Sequence, residues 1–203
     1  MIKCILFSLY IVLNIVLKII FDEHVGHNIF RHKYLAIILD VSILKHKVIQ
    51  SYPMTIPFTI RRRILWGDSD PAGILYTPRV FHYALETVEE WLIEMFGYTS
   101  MTLRDDLKID TPTVKMSCEF MYPMKTSEYI DISLEIKKLG KASLNYVFDG
   151  FDSKKNHCFH VDQVVCFVDV DSFKAIPISI EFRKKIEAYQ LSCNKFHEET
   201  GIN

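Results

Sequence analysis

The sequence lacks an excess of charge of either sign. Its 203 residues contain 24 Lys and Arg against 25 Asp and Glu, a formal net charge of −1. Nucleic-acid-binding domains typically present a strongly basic face, so the composition argues against a nucleic-acid partner, and a phosphate-bearing ligand would need a local basic cluster. Because 49% of the residues are hydrophobic and 13% are aromatic, the chain can build a substantial core, and disorder is not expected.

Cysteine pairs spaced for a metal or a disulfide framework are also missing. The number of cysteines is odd and no two have C-x-x-C spacing: Cys4, Cys118, Cys158, Cys166 and Cys193. We therefore expect reduced, mostly buried thiols, which favours a cytoplasmic location. Residues 68–79 imitate the start of a calcium loop, but Ala72 and Arg79 stand where that loop needs oxygen ligands, so no metal site is expected.

Residues 1–53 differ in composition from the rest of the chain. The apolar run 2–21 is interrupted by Lys3, Ser8, Asn14 and Lys18. Lys3 suits a signal peptide but no Ala-x-Ala-like cleavage site follows, and the run is short for a membrane anchor of about 20 apolar residues. A third interpretation is that Met54 is the true start. The expected divisions are an extension over 1–53 with possible membrane contact through 1–21, a domain over 54–192 and a tail over 193–203.

Helical spacing of apolar residues begins at Arg79 and continues for nearly five turns. Gly97 follows as a candidate C-cap. The apolar stripe is wide and contains two large aromatic residues, which indicates a helix buried in the core. A second, short helix is predicted from Ser179, its candidate N-cap, to about Leu191.

Strand-like patterns surround the long helix. One strand is predicted after Pro57, and a charged loop over 104–110 precedes four further strands. Alternation of period two or an apolar run marks these four strands: 114–120, 130–136, 144–148 and 159–170. Asp149-Gly150 is expected to end the third of them. Strands joined by short turns pair antiparallel, so the predicted fold class is α+β, with one long helix held against an antiparallel sheet.

The segment 66–78, WGDSDPAGILYTP, leads directly into the long helix. The first N–H groups of a helix have no intrahelical partner and the helix dipole is positive there, which suits an anion or an oxyanion. Gly73 can adopt a positive φ, and Pro78 fits the first helical turn. An acidic side chain in this loop could attack a carbonyl polarised by those N–H groups, or activate water against it.

This segment and the order of elements resemble the 4-hydroxybenzoyl-CoA thioesterase family, which has the hotdog fold, an antiparallel sheet wrapped around one long central helix. The family pattern aromatic-Gly-Asp-x-Asp-x-x-Gly-apolar-apolar-Tyr-x-Pro matches 66–78, and 111–120 also looks like the family's strand after the helix. The resemblance covers residues 57–191. It implies hydrolysis of an acyl-CoA thioester to a free acid and CoA, with no additional cofactor.

The resemblance also implies roles for particular residues. Asp70 matches the family's catalytic carboxylate, acting as nucleophile or as general base, and a backbone N–H at Tyr76 or Thr77 would hold the carbonyl oxygen. The implied assembly is a homodimer or homotetramer whose site for acyl-CoA or acyl-carrier protein lies where subunits meet. Candidate cations for the CoA phosphates are Lys137, Lys138 and Lys141, followed by Arg183 and Lys184.

Alternatives to this interpretation remain open. Some family members that act on hydroxylated aromatic groups have a carboxylate near the position of Leu85, and its absence here leaves an apolar acyl or aroyl group equally well supported. Glu86 and Glu90 are alternative catalytic acids, whereas Asp68 is interpreted as a turn former and His82 as a structural or surface residue. The alternative function is a catalytically silent hotdog module that binds acyl-CoA or acyl-carrier protein. A dehydratase would require a histidine in the loop, which has none.

Overall fold

The computed structural model describes residues 54–201. The interpretations of the extension 1–53 and of Cys4 lie outside the described residues. Within residues 54–201, no helix combines the length and the apolar character needed to cross a membrane.

A five-stranded antiparallel sheet forms the centre of the described region. Its strands are β1 (Phe58–Arg63), β3 (Thr113–Phe120), β4 (Tyr129–Leu139), β5 (Ser143–Asp152) and β6 (His157–Cys166), in the spatial order β1-β4-β5-β6-β3. A separate two-stranded ladder pairs β2 (Ile109–Asp110) with β7 (Val168–Asp169). The alternation seen in the sequence is real, because every second side chain of β4 from Ile130 to Ile136 points inward and is buried. The predicted α+β architecture is confirmed.

The long helix α1 (Arg79–Phe96) packs against the inner face of this sheet. Trp91 is completely buried, and its indole makes edge-to-face contacts with the rings of Tyr146 on β5 and Tyr189, at centroid distances of 5.7 and 5.6 Å. Gly97 ends the helix with φ of +78°, as predicted for its C-cap. The apolar stripe of α1 is therefore a core stripe, and the N-terminus of the helix is fixed relative to the sheet.

Four of the sequence-based boundaries are wrong. The charged stretch 104–110 was expected to be a loop, but helix α2 (Ser100–Leu107) occupies much of it. Thr99 and Thr102 cap this helix reciprocally, and Leu103 is its only buried residue, so the pattern was too weak to recognise. The apolar run 159–170 is not one strand either, because it divides into β6 and β7.

Asp149-Gly150 was expected to end a strand, but β5 continues to Asp152. Gly150 is there for packing, because a Cβ atom at this position would lie 2.3 Å from the ring of Phe159 on β6. The turn comes later and is held by Asp152, whose carboxylate accepts hydrogen bonds from the backbone N–H groups of Lys154 and Asn156.

The C-terminal helix α3 (Ile180–Thr200) is longer than predicted and includes most of the stretch expected to be a tail. Ser179 caps it as predicted, since its hydroxyl accepts from Phe182 N–H. Strand β1 pairs with β4 only up to Leu134. From Leu134 onward α3 covers the edge of β4 and the turn that follows it. Three side chains of α3 donate hydrogen bonds to backbone carbonyls there: Tyr189 to Leu134, Gln190 to Ile136 and Arg183 to Gly140.

Candidate active site

The loop before α1 has a tightly bonded backbone. The N–H of Asp70 donates to Ile74 O (2.9 Å), and the N–H of Gly73 donates back to Asp70 O (3.0 Å). Gly73 has φ of +76°, the left-handed conformation predicted for it. Pro78 immediately precedes α1 as its N-cap residue, with φ of −63°. These bonds fix the position of Asp70 near the start of the helix.

The Asp70 carboxylate has one oxygen engaged and one available. Its Oδ1 accepts from Ala72 N–H (2.8 Å) and, more distantly, from Ile74 N–H (3.4 Å). Within residues 54–201 its Oδ2 accepts no hydrogen bond, and the residue is half-buried. A carboxylate that is oriented by the backbone through one oxygen while the other stays open can act as a nucleophile or as a base.

Asp68 is engaged on all sides, in agreement with its interpretation as a structural residue. It is 7% exposed, and its Oδ2 accepts from the Tyr83 hydroxyl (2.9 Å) and from Leu65 N–H (3.2 Å). Arg79 Nε lies 3.4 Å from its Oδ1. Burial raises the pKa of Tyr83 to about 12, which keeps the hydroxyl protonated and able to donate. Asp68 therefore ties the loop to the first turns of α1.

The two candidate oxyanion donors differ. The N–H of Tyr76 donates to Asp68 O (2.8 Å), so this candidate is already engaged within the loop. The N–H of Thr77 makes no hydrogen bond within residues 54–201, and the next residue, Pro78, has no N–H. Thr77 is exposed, so the one free N–H immediately before α1 in the described part of the chain is also accessible to a ligand.

A second segment, just before β4, supports the loop. Leu75 N–H donates to Met124 O (2.8 Å), and the Thr126 hydroxyl bonds to Ser69 Oγ (2.6 Å) and to Gly73 O (3.1 Å). Sequence reasoning missed these contacts, because nothing in the residues next to Thr126 indicates a partner more than fifty positions away.

The alternative acids on α1 are placed differently from Asp70. Glu86 forms an ion pair with Arg62, whose guanidinium also lies 4.2 Å from the centre of the Tyr83 ring. Glu90 is exposed, and no partner of its carboxylate is found among the described residues. His82 is also exposed, with Nδ1 3.4 Å from an Arg79 nitrogen, which agrees with a surface position.

The lysines proposed for CoA phosphates lie far from this loop in the same chain. Ile64 N–H bonds to Glu128 O, which places the base of the loop beside the start of β4. Lys137 comes nine residues later on β4, which corresponds to about 30 Å at the rise of an extended strand. It is paired there with Asp162 at 2.9 Å. The remaining candidates are near the same distant hairpin: Lys138, Lys141, Arg183 and Lys184.

No group of three or more His, Cys, Asp or Glu side chains within residues 54–201 is arranged to hold a metal ion. The four cysteines of this part of the chain are free thiols.

A sequence model described as the Thioesterase-like superfamily matches residues 64–186, which is more than half of the chain. The chain is 23% identical over 144 residues to a 1,4-dihydroxy-2-naphthoyl-CoA hydrolase of Prochlorococcus marinus, a match that covers 66% of this chain and 92% of the relative.

Solved structures show the same fold. A thioesterase-superfamily protein from Jannaschia sp. CCS1 superimposes with a TM-score of 0.62 at 28% identity, covering 68% of this chain and 96% of that protein. The 4-hydroxybenzoyl-CoA thioesterase of Pseudomonas sp. strain CBS-3 gives a TM-score of 0.58 at 19% identity, covering 63% and 96%. These likenesses confirm the predicted hotdog fold. The protein therefore belongs to the Thioesterase-like superfamily of hotdog proteins.

Proposed function

We propose that this protein is an acyl-CoA thioesterase, close to the 4-hydroxybenzoyl-CoA thioesterase family, that uses Asp70 and the Thr77 N–H. The observation behind the proposal is the pairing of one open carboxylate oxygen with one free backbone N–H at the start of a buried helix. The names of the relatives, which are hydrolases of CoA thioesters, support the same reaction class.

The chemistry follows from the charge that develops during hydrolysis. When a nucleophile adds to the thioester carbonyl, negative charge collects on the oxygen, and the Thr77 N–H at the positive end of α1 stabilises it. In one route Asp70 Oδ2 attacks the carbonyl carbon, CoA leaves as a thiolate that takes a proton, and water hydrolyses the resulting anhydride. In the other route Asp70 takes a proton from water as the water oxygen attacks. Both routes consume one water and give a carboxylic acid and the CoA thiol.

We further propose that the active assembly contains at least two copies of the chain. Strand β3 is at one end of the sheet, and its outer edge has no strand partner within residues 54–201. Exposed apolar side chains accompany this edge: Val114, Phe120, Met121 and Tyr122. An open, apolar edge is suited to pairing with a second copy. The lysines of the distant hairpin could then reach CoA only at a site on another copy, because about 30 Å separates them from their own loop.

The test measures release of free thiol from short, medium and long acyl-CoAs and from benzoyl- and hydroxybenzoyl-CoA, using the full chain. Asp70→Asn keeps the oxygen that accepts from Ala72 N–H, so the fold should be preserved while kcat falls by about 10²–10⁴-fold. Asp106→Asn, on the exposed side of α2, is the matched control and should retain full activity.

Other outcomes would redirect the proposal. Turnover that survives Asp70→Asn would move the chemistry to Glu86 or Glu90. Absence of turnover with every substrate, together with measurable binding of the thioesters, would make the protein a silent binding module.

A further inference from the structure

The peptide group that carries the Thr77 N–H is held by hydrogen bonds on both sides. This N–H belongs to the same planar unit as the carbonyl of Tyr76. Tyr76 O accepts from Arg79 N–H (2.8 Å), and Tyr76 N–H donates to Asp68 O (2.8 Å). Because the unit is rigid, the positions of Arg79 and Asp68 set the direction in which the Thr77 N–H points.

The side chain of Asp68 contacts α1 at two points. Its Oδ1 lies 3.4 Å from Arg79 Nε, and its Oδ2 accepts the hydroxyl of Tyr83, one turn further along the helix, at 2.9 Å. Tyr83 is 1% exposed, so water cannot readily replace this donor. The buried hydroxyl therefore fixes Asp68, and with it the main-chain oxygen that holds Tyr76 N–H.

Strand β1 holds the ring of Tyr83. The guanidinium of Arg62 lies 4.2 Å from the centre of this ring and forms an ion pair with Glu86, which follows Tyr83 by three residues on α1. A cation over an aromatic ring restrains the ring as well as attracting it. Contacts therefore run without interruption from β1, through Tyr83 and Asp68, to the peptide group of the candidate oxyanion donor.

The Asp70 carboxylate is held by a different set of contacts. It accepts hydrogen bonds from the backbone of its own loop, and Gly73 O of this loop accepts from the Thr126 hydroxyl before β4. None of these bonds involves Tyr83. Loss of the Tyr83 hydroxyl can therefore displace the Thr77 N–H without removing a contact of the carboxylate.

We propose that Tyr83 is a positioning residue whose hydroxyl, acting through Asp68, aims the Thr77 N–H at the thioester oxygen. Arg62 supports it by restraining the ring. This inference rests on the thioesterase function proposed above. The donor interacts most strongly with the oxygen when negative charge has developed on it, so a displaced donor lowers kcat and leaves KM nearly unchanged.

The experiment measures kcat and KM of full-length wild type and variants with the best acyl-CoA of the panel. Tyr83→Phe keeps the ring beside Arg62 and should lower kcat by about tenfold, less than the roughly 10²–10³-fold loss when an oxyanion donor is removed outright. Tyr189→Phe is the matched control, because its buried hydroxyl donates to Leu134 O on β4, and it should leave kcat unchanged. Asp68→Asn keeps an oxygen that accepts from Tyr83 and should retain more activity than Asp68→Ala.

A second measurement observes the donor directly. With the threonines of the full chain labelled with ¹⁵N, the amide signal of Thr77 in the NMR spectrum should move in Tyr83→Phe and stay in place in Tyr189→Phe. This measurement does not depend on turnover.

The outcomes separate this inference from the proposed function. Hydrolysis with an unchanged kcat in Tyr83→Phe, or with an equal loss in Tyr189→Phe, would overturn the role of Tyr83 and leave the thioesterase function standing. If wild type hydrolyses no thioester, the thioesterase function fails, and an unmoved Thr77 signal in Tyr83→Phe would overturn the positioning role as well. If Tyr83→Phe does not fold, Arg62→Met takes its place in both measurements, since the Arg62 side chain is 30% exposed and its loss frees the ring.

Discussion

Asp68 offers the sharpest test of how the loop 66–78 is held, because it is buried and belongs to this loop but is not the proposed catalytic group. Asp68→Ala removes the acceptor of the Tyr83 hydroxyl, which lies 2.9 Å away on a residue that is 1% exposed. It also removes the partner of Leu65 N–H and the charge beside Arg79. We expect the variant to be less stable than the wild type.

The magnitude follows from the burial of each partner. Leaving the enclosed Tyr83 hydroxyl unpaired costs ~1–3 kcal/mol, whereas Leu65 is exposed and its N–H can bond to water at little cost. Arg79 is 39% exposed at 3.4 Å, so its ion pair contributes less than about 1 kcal/mol. The free energy of unfolding should therefore fall by about 2–3 kcal/mol, which corresponds to a decrease in melting temperature of roughly 4–12 °C for a domain of this size.

Urea unfolding of four proteins measures the effect: wild type, Asp68→Ala, Tyr83→Phe and the double variant. Tyr83→Phe removes the hydroxyl that Asp68→Ala leaves unpaired, so the double variant should be more stable than the sum of the single losses predicts, by about 1 kcal/mol or more. Asp70→Asn serves as the control and should unfold like the wild type. Strictly additive losses would show that the contact between Asp68 and Tyr83 does not hold the loop.

Two further predictions concern the sheet. Gly150→Ala should lower the free energy of unfolding by about 1–3 kcal/mol, because the new Cβ would lie 2.3 Å from the buried Phe159 ring. Gly67→Ala, whose new Cβ would have nothing within 4 Å, is the control in thermal melts, and equal melting temperatures of the two variants would refute the packing argument. Hydrogen bonds from the Asn156 side chain and from backbone N–H groups lower the pKa of Asp152 in the folded protein. The stability that the ionised Asp152 contributes is therefore present above its unfolded-state pKa of about 4 and is lost as the pH falls through the lower folded value. Asn156→Ala should weaken the dependence of the free energy of unfolding on pH in this acid range, and an unchanged acid unfolding curve would contradict this prediction.

The parts of the fold that the sequence predicted are those with a strong local period. The stripe of α1 extends over nearly five turns, and β4 alternates from Ile130 to Ile136, so the sequence predicts both elements. Helix α2 has a single buried side chain, Leu103, and so offered no stripe to detect. The prediction that the strand ends at Gly150 was wrong, because the sequence cannot show that the Phe159 ring on the next strand occupies the space where a side chain at Gly150 would lie.

The candidate site was only partly predictable for a similar reason. The residue types and spacing of 66–78 pointed to Asp70 and to the start of α1. Whether a backbone N–H there is free depends on the path of the chain, and only the structure distinguishes Tyr76, which bonds to Asp68 O, from Thr77.

The length of β4 explains why a second copy of the chain matters for the proposed reaction. The loop with Asp70 lies beside the start of this strand, and the lysine-rich hairpin lies at its end, so one chain cannot bring both to the same thioester. On its own, the described part of the chain offers a carboxylate and one N–H donor at the start of α1, while its candidate lysines for the CoA phosphates lie at the distant hairpin. Because the outer edge of β3 is open and apolar within residues 54–201, we expect two chains to pair there, as proposed above, and to bring basic residues of one copy towards the loop of the other.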